Sequence, residues 1–336
     1  MNNIRIGING FGRIGRTLFR LLQNTNNIEV VLINDIVDIN RIAYAIKYDS
    51  NHGLFKNNIK IISDNILNIN NKNIFCYQYS DPLEIPWYKH DIDFVIESTG
   101  LFLTQKDAYK HIKSGANNVI ITSPPKDNTP MFIMGVNNML YNKNNDKVIS
   151  NSSCTSHCVI PLLKLVNDNF NIKQVMITTI NSATASQNII DGYSYKSFCD
   201  GRSVLQNIIP SFTNVVQTTS KIIPELADKI HGISFRVPTP QVSIADINIL
   251  LDDNISYKDI YNIIYKESNT NLKNILGYIN DDVTSIDIKG NTLVSIFDVK
   301  NSIVKNKICK LISWYDNETG YSYSLINLIK YIKEIN

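Results

Sequence analysis

The segment Asn151-Ser152-Ser153-Cys154-Thr155-Ser156-His157-Cys158 sets a cysteine behind small hydroxyl residues and ahead of an apolar run with helical character, Val159 to Asn167. Ser152 or Ser153 can cap the first turn, leaving Cys154 beside backbone N–H groups that have no partner within the helix. Such a position favours the thiolate, the nucleophilic form of cysteine. A cysteine that only packs more often lies in the middle of an apolar run.

A second chemistry-bearing pattern opens the chain. Residues 4–9 read as a buried strand, Gly10-x-Gly12-x-x-Gly15 follows, and Arg16 to Gln23 carries Leu18, Phe19, Leu21 and Leu22 at helical spacing. Another apolar run, Glu29 to Asn34, ends at Asp35, which follows Gly15 by 20 residues. Strand, glycine turn, helix, strand and acidic residue together make the context of a dinucleotide-binding turn. The glycines allow the backbone close to a pyrophosphate, and the helix start near Gly12 and Arg13 supports its charge. Asp35 would accept from ribose hydroxyls, which favours NAD over NADP. No Gly-Lys-Ser/Thr follows, so a P-loop is excluded.

Joined, the two patterns suggest one reaction. A thiolate adds to an aldehyde, hydride leaves to a nicotinamide, and the resulting thioester passes its acyl group to an acceptor. A phosphorylated substrate would need anion ligands, for which Thr184, Thr213 and Arg236 are candidates in polar breaks beside β-rich segments. Arg236 suits a structural ion pair equally well.

The elements that must hold these residues follow from periodicity. Short apolar runs at Ile92–Glu97, Asn118–Thr122 and Lys147–Ser150, with a helical segment at Gln105–Ser114, predict a parallel sheet with helices on both faces. After Cys154 the β-rich segments Gln174–Asn181, Gly232–Val237, Gln241–Leu251 and Leu293–Val299 predict a mixed or antiparallel sheet with one face covered. Gln187–Asn207 has no period and reads as a long, functional loop. Tyr321 to Ile335 is helical and is expected to pack back on the first domain.

Bulk properties exclude other classes. With 336 residues, 43% of them hydrophobic, the chain can bury one large core or two ordinary ones. A net charge of +3 with scattered lysines gives no basic tail for nucleic acid. Five cysteines without a CxxC pair predict a reducing compartment and no disulfide framework. Cys154, His157 and Cys158 lack a second ligand cluster, so no metal site is expected. The chain enters a strand at once, with no signal peptide expected, and no apolar run reaches the ~18 residues of a membrane span.

Asn9-Gly10-Phe11-Gly12-Arg13-Ile14-Gly15-Arg16, Lys47-Tyr48-Asp49-Ser50, Ser98-Thr99-Gly100, Asn151-Ser152-Ser153-Cys154-Thr155, Gln206-Asn207-Ile208-Ile209-Pro210, Phe235-Arg236-Val237-Pro238-Thr239 and Trp314-Tyr315-Asp316-Asn317-Glu318 together resemble phosphorylating glyceraldehyde-3-phosphate dehydrogenase, essentially end to end. The resemblance implies an α/β protein. A Rossmann dinucleotide-binding domain (1–152, completed by a C-terminal helix, 316–336) would join an α+β catalytic domain (153–315) with a mixed or antiparallel sheet. It implies a cytoplasmic, glycolytic homotetramer that uses NAD, glyceraldehyde 3-phosphate and inorganic phosphate. Cys154 would be the nucleophile. Gly10, Gly12, Arg13, Ile14, Gly15, Asp35, Thr99, Thr122 and Asn317 would surround NAD, with Asn317 at the nicotinamide carboxamide. Ser153, Thr155, Thr184, Thr213, Asn214 and Arg236 would form two phosphate positions, and Gln187–Asn207 would line a neighbouring subunit's cofactor site. A sister activity on erythrose 4-phosphate is the enzymatic alternative.

Four positions depart from the family pattern. Asn214 replaces a usual glycine, and Ser80 replaces an arginine near the adenine. More seriously, Asn181 stands where the family has the histidine that activates the thiol, and an amide cannot exchange a proton near neutral pH. Loss of a general base typically costs about 10²–10⁴ in rate. His157 stands where the family usually has asparagine, three residues after Cys154 and on the same helical face. Either His157 becomes the base, with Asn181 donating to the thiohemiacetal oxygen, or His157 only packs and the enzyme is slow but active. On a third reading useful catalysis is gone and an NAD-binding or scaffold protein remains, or the codon carries a sequence error.

Overall fold

In the computed structural model, which describes residues 3–335, the chain forms two compact units. The first runs to Phe132 and takes in Leu140–Ser152 and the chain from Leu325 on; the second is Ile133–Met139 with Ser153–Ser324.

The first unit holds β1 (Ile4–Asn9), α1 (Arg13–Leu22), β2 (Ile28–Asn34), α2 (Ile39–Lys47), β3 (Ile59–Ser63), β4 (Ile66–Ile69), β5 (Lys72–Tyr77), β6 (Phe94–Glu97), α3 (Gln105–Lys113), β7 (Asn118–Ile121) and β8 (Val148–Ser150). Its eight-stranded sheet has the order β3-β4-β5-β2-β1-β6-β7-β8. From β5 to β8 every pair is parallel. The central strands are near-continuous apolar runs because helices cover both sheet faces. Val31, Leu32, Val95, Val119 and Ile121 form one buried cluster with Trp87 and Ala108.

The antiparallel edge β3-β4-β5 was not read from the sequence. Its β4–β5 turn is Asn70-Asn71, with φ of 51° and 62°. Two consecutive left-handed residues make the tight hairpin turn whose twist matches the strands, and asparagine tolerates that conformation.

The second unit contains α4 (Cys154–Phe170), β9 (Ile172–Asn181), β10 (Ile209–Ser211), α5 (Val215–Ile222), β11 (Ile230–Arg236), β12 (Ser243–Leu251), α6 (Tyr257–Asn269), β13 (Leu276–Ile279), α7 (Ser285–Ile288), β14 (Ser295–Asp298), β15 (Ile303–Lys305) and β16 (Ile308–Tyr315), and the last helix α8 (Thr319–Glu334) begins there. Its sheet is mixed, ordered β10-β11-β9-β12-β16-β14-β13, with β15 paired to β16. In β12, Ser243, Ala245, Ile247, Ile249 and Leu251 are buried and the residues between them are not. That period of two turns one face onto α4, whose Val159, Leu162, Leu163 and Val166 are fully buried in the same cluster. Burial of each such side chain contributes about 1.5–3 kcal/mol.

The domain limits drawn from the sequence put 133–139 and 316–324 in the first domain; the structure groups both with the second. Ile133 and Val136 are buried in the second unit's core. Asp316, just before α8, accepts from Gln241 Nε2 at 2.9 and 2.8 Å and from the Gly290 amide at 2.8 Å. Residues 1, 2 and 336, which those limits also included, lie outside the described residues. Among the described residues no helix is long and apolar enough to cross a membrane.

Candidate active site

The glycine turn leads from β1 into α1. A Cβ on Gly15 would lie 2.4 Å from the Gly10 carbonyl, so the turn closes only with glycine there. Gly10 has φ +89°, and a Cβ on it would meet the Thr99 amide at 2.6 Å, whereas Gly12 faces open space. No side chain caps α1. A turn that is tight inside, open outside and uncapped at its helix start suits a pyrophosphate. The Asp35 carboxylate accepts from the Phe11 amide at 2.6 Å through Oδ2, which fixes it beside the turn.

Neighbouring residues are held from within. Thr99 donates its amide (2.9 Å) and its hydroxyl to Glu97, and that hydroxyl accepts from Leu101. Thr122 donates its hydroxyl to the Glu97 carbonyl at 3.1 Å. The Arg13 guanidinium bonds Asp49 at 2.6 Å. Burial pushes Asp49 up, but the His52 amide and Arg13 outweigh it and hold the carboxyl at about 2. Ile14 lies in the first turn of α1.

In the second unit, Cys154 is the first residue of α4, with Ser153 as its cap accepting from the Ser156 amide at 3.2 Å. The helix thus starts five residues before the apolar run that announced it. Ser152, just before the cap, has φ +52°, a conformation uncommon outside glycine and typical of functional turns. The expectation of a favoured thiolate needs correction. Burial raises the Cys154 pKa above its ordinary value, against the lowering pull of Arg236, the Thr155 hydroxyl and the first helix amides.

Asn181 ends β9, buried at 6% exposure. Its Nδ2 donates to Ser234 Oγ at 2.6 Å and to Thr179 Oγ1 at 3.2 Å. Its Oδ1 accepts from the Tyr315 hydroxyl at 2.6 Å. Tyr315 in turn lies 3.0 Å from Thr155 Oγ1, beside the cysteine. Both amide protons are therefore engaged inside the fold, and a role for Asn181 as donor to a substrate oxygen loses its proton supply. His157 is buried too, and its ring packs edge-on against Tyr321 with centroids 5.8 Å apart. Cys158 packs beside Ser295 and Ser313, and burial pushes its thiol up to about 12.

Arg236 ends β11 and is the register partner of Asn181 on β9. Its Nη1 donates to the Ser182 carbonyl at 3.0 Å, while its Nε is buried with no partner in the structure. A buried guanidinium N–H without an acceptor is costly and suits an absent anion. The other anion candidates are more fully used. Ser153 caps α4 and Thr155 meets Tyr315. The Thr184 hydroxyl donates to Gln187 at 2.6 Å, and Thr213 accepts from the Val215 amide at 3.3 Å. Asn214 precedes α5 with no capping bond from its side chain.

Asn317 accepts through Oδ1 from Ser182 Oγ and from the Val242 amide, both at 3.0 Å, which leaves its NH₂ for another acceptor. Val242 holds this geometry at φ +70°, a rare conformation for a β-branched residue. The sequence reading passed over Tyr315, Ser234 and Thr179. The signal for Tyr315 was present: Cys309, Leu311, Ser313 and Tyr315 are the buried alternate positions of β16.

Fold and site define the class: a dinucleotide-binding unit joined to a mixed-sheet unit that presents a cysteine at a helix start. Among the described residues no group of three or more His, Cys, Asp or Glu could hold a metal. The profile "Glyceraldehyde 3-phosphate dehydrogenase, NAD binding domain" matches residues 4–105, and "Glyceraldehyde 3-phosphate dehydrogenase, C-terminal domain" matches residues 153–317. The chain is 48% identical to the glyceraldehyde-3-phosphate dehydrogenase of Buchnera aphidicola over 330 residues, covering 98% of both chains. It is 46% identical to the cytosolic enzyme of Leishmania mexicana, covering 97% of this chain and 98% of the other. With glyceraldehyde-3-phosphate dehydrogenase A of Escherichia coli K12 it shares 44% identity, covering 98% and 99%. The chain belongs to the glyceraldehyde-3-phosphate dehydrogenase family.

Proposed function

We propose that this chain is an NAD-dependent, phosphorylating dehydrogenase of glyceraldehyde 3-phosphate that works without a histidine base. The observation that carries this reading is the buried, unmatched Nε of Arg236 near a thiol that starts a helix. The Cys154 sulfur bonds to the aldehyde carbon, and its proton passes to the carbonyl oxygen. NAD, held at the glycine turn, would supply the hydride acceptor; with the hydride and the hydroxyl proton removed, a Cys154 thioester results. A phosphate oxygen then attacks the carbonyl, the C–S bond breaks, and 1,3-bisphosphoglycerate forms with Cys154 restored.

Arg236, with Thr213 and Asn214 at the start of α5, would hold anions. The Asn317 NH₂ would donate to the nicotinamide carboxamide oxygen, and Asp35 would hold the adenosine ribose. His157 takes a packing role, in keeping with its burial against Tyr321, so turnover is slow rather than absent. Relatives named for glyceraldehyde 3-phosphate favour that substrate over erythrose 4-phosphate.

The protein would be a cytoplasmic homotetramer, and the surface favours an assembly. Tyr193, Tyr195 and Phe198 on the long loop are wholly exposed, an apolar display that a lone subunit rarely keeps. NADH formation that requires both glyceraldehyde 3-phosphate and inorganic phosphate tests the activity. No turnover with NAD affinity intact would sink it and leave a binding protein. Light scattering tests the assembly.

A further inference from the structure

The first unit buries a carboxyl group that the proposed reaction does not use. Glu97 ends β6, Asn9 ends β1 and Asn34 ends β2, and Asn9 is the register partner of both others. All three side chains are buried, Glu97 at 1% exposure. They form a belt across neighbouring strand ends. Asn34 Nδ2 donates to Asn9 Oδ1 at 2.8 Å, and Asn9 Nδ2 donates to Glu97 Oε2 at 2.6 Å. From the other side, Nε2 of the fully buried His111 on α3 lies 3.0 Å from the same oxygen, and Trp87 Nε1 donates to His111 Nδ1 at 3.1 Å. Glu97 Oε1 accepts from the Thr99 amide at 2.9 Å and from the Thr99 hydroxyl.

Two N–H groups that can only donate fix the directions in this network. The Tyr79 amide donates to Asn34 Oδ1 at 3.0 Å. Asn34 therefore turns its NH₂ toward Asn9, and Asn9 turns its own toward Glu97. The Trp87 indole occupies His111 Nδ1, so Nε2 carries the ring proton and donates it in a hydrogen bond to Glu97. Each Glu97 oxygen thus takes two donors, and the group serves as acceptor only, the role of a carboxylate. Its donors are neutral groups, and burying a charge in such company is costly unless the site needs it.

The belt spans the crevice where a cofactor would lie. The strand order reverses between β1 and β6, and open parallel sheets bind ligands at such a point, beyond the carboxyl ends of their strands. Each belt residue is followed at once by a segment read as cofactor-binding: Asn34 by Asp35, Asn9 by the Gly10 turn, Glu97 by Ser98-Thr99. Ser98 Oγ donates to the Gly10 carbonyl at 2.6 Å and closes the β6 end on the turn. The turn itself is backbone; the belt beneath it sets its place between Asp35 and Thr99.

We propose that Glu97 is a positioning residue of the cofactor site, its carboxylate locking the three strand ends so that Asp35, the glycine turn and Thr99 stand ready for a dinucleotide. This rests on the proposed reading of the NAD site. Glu97→Gln keeps the shape and loses the function. Either orientation of the new amide sets an NH₂ against two donors, Asn9 and His111 on one side or the Thr99 amide and hydroxyl on the other. The Thr99 side gives way, because its hydroxyl can turn to accept, whereas Trp87 holds His111 and Asn34 holds Asn9.

The test combines calorimetric titration with NAD, turnover at saturating NAD, and hydrogen–deuterium exchange of the nucleotide-free, full-length protein. Glu97→Gln should weaken NAD binding about tenfold, since binding must now order the loosened segment, and keep kcat within about threefold. Exchange should quicken several-fold at 98–101 and hold at the parent rate in the second unit. Asn9→Ala cuts the belt at its middle and leaves Thr99 bonded to Glu97, so it should weaken NAD several-fold with exchange at 98–101 unmoved; it serves also if Glu97→Gln fails to fold. Unchanged NAD affinity in both variants overturns the inference, as does faster exchange throughout the first unit with kcat and affinity falling together, the mark of a merely structural role. Weaker NAD binding in a protein without turnover fails the proposed function alone; turnover with Glu97-independent NAD affinity fails this inference alone.

Discussion

The two units hold their chemistry in opposite ways. The dinucleotide turn is made of backbone: Gly10, Gly12 and Gly15 act by what they lack, and Asp35 is fixed by one bond to the Phe11 amide. The thiol site is made of side chains drawn from α4, β9, β11 and β16, tied by Thr155, Tyr315, Asn181 and Ser234. A backbone site tolerates change at its side chains but not at its glycines. A side-chain site can lose one chemical function, here a titrating base, while the hydrogen-bond frame stays filled. That difference explains how the base position can carry an amide without a buried orphan: Asn181 satisfies Ser234, Thr179 and Tyr315 together.

The comparison can be broken at either end. The largest effect is expected from Cys154→Ser, which should lower phosphate-dependent turnover by about 10⁴-fold or more and leave NAD affinity intact. Calorimetric titration with NAD checks the second half. Gly15→Val should do the reverse. Its Cβ would sit 2.4 Å from the Gly10 carbonyl, so NAD affinity should fall about tenfold or more, roughly 1.4 kcal/mol, while Cys154 alkylation stays at the parent rate. If both properties fell together in either variant, the division of labour would be wrong. Tyr315→Phe should have a smaller effect. It strips the acceptor of its bond at Asn181 Oδ1 and should cost about 1–3 kcal/mol of stability, read by denaturant unfolding.

Legibility in the sequence followed the same divide. The glycine turn, its strands and Asp35 were readable because all lie within one local βαβ stretch. Cys154 was readable because its cap and helix adjoin it, although the apolar run began only at Val159. The Tyr315–Asn181 bond joins residues 134 apart, and no local pattern announces such a pair. The helix start suggested a thiolate, but burial in the folded unit outweighs the helix amides. The spacing that makes His157 a candidate base could not bring into view its ring contact with Tyr321, a residue of α8. The Asn70-Asn71 hairpin was missed although its two asparagines suit the left-handed turn, since no glycine marked it.

The central claim is that buried Cys154 reacts without a histidine base, and the pH profile of phosphate-dependent NADH formation tests it most directly. A thiol whose pKa is raised gives a thiolate fraction that grows about tenfold per pH unit below that pKa. The parent rate should therefore climb from pH 6 to pH 9 with no inflection near neutrality, and His157→Asn should follow the same curve. Asn181→His should raise the rate at pH 7 by about 10–10² and introduce a bend near an imidazole pKa. A parent profile that already bends near neutrality, and loses the bend in His157→Asn, would contradict the account and return the base to His157.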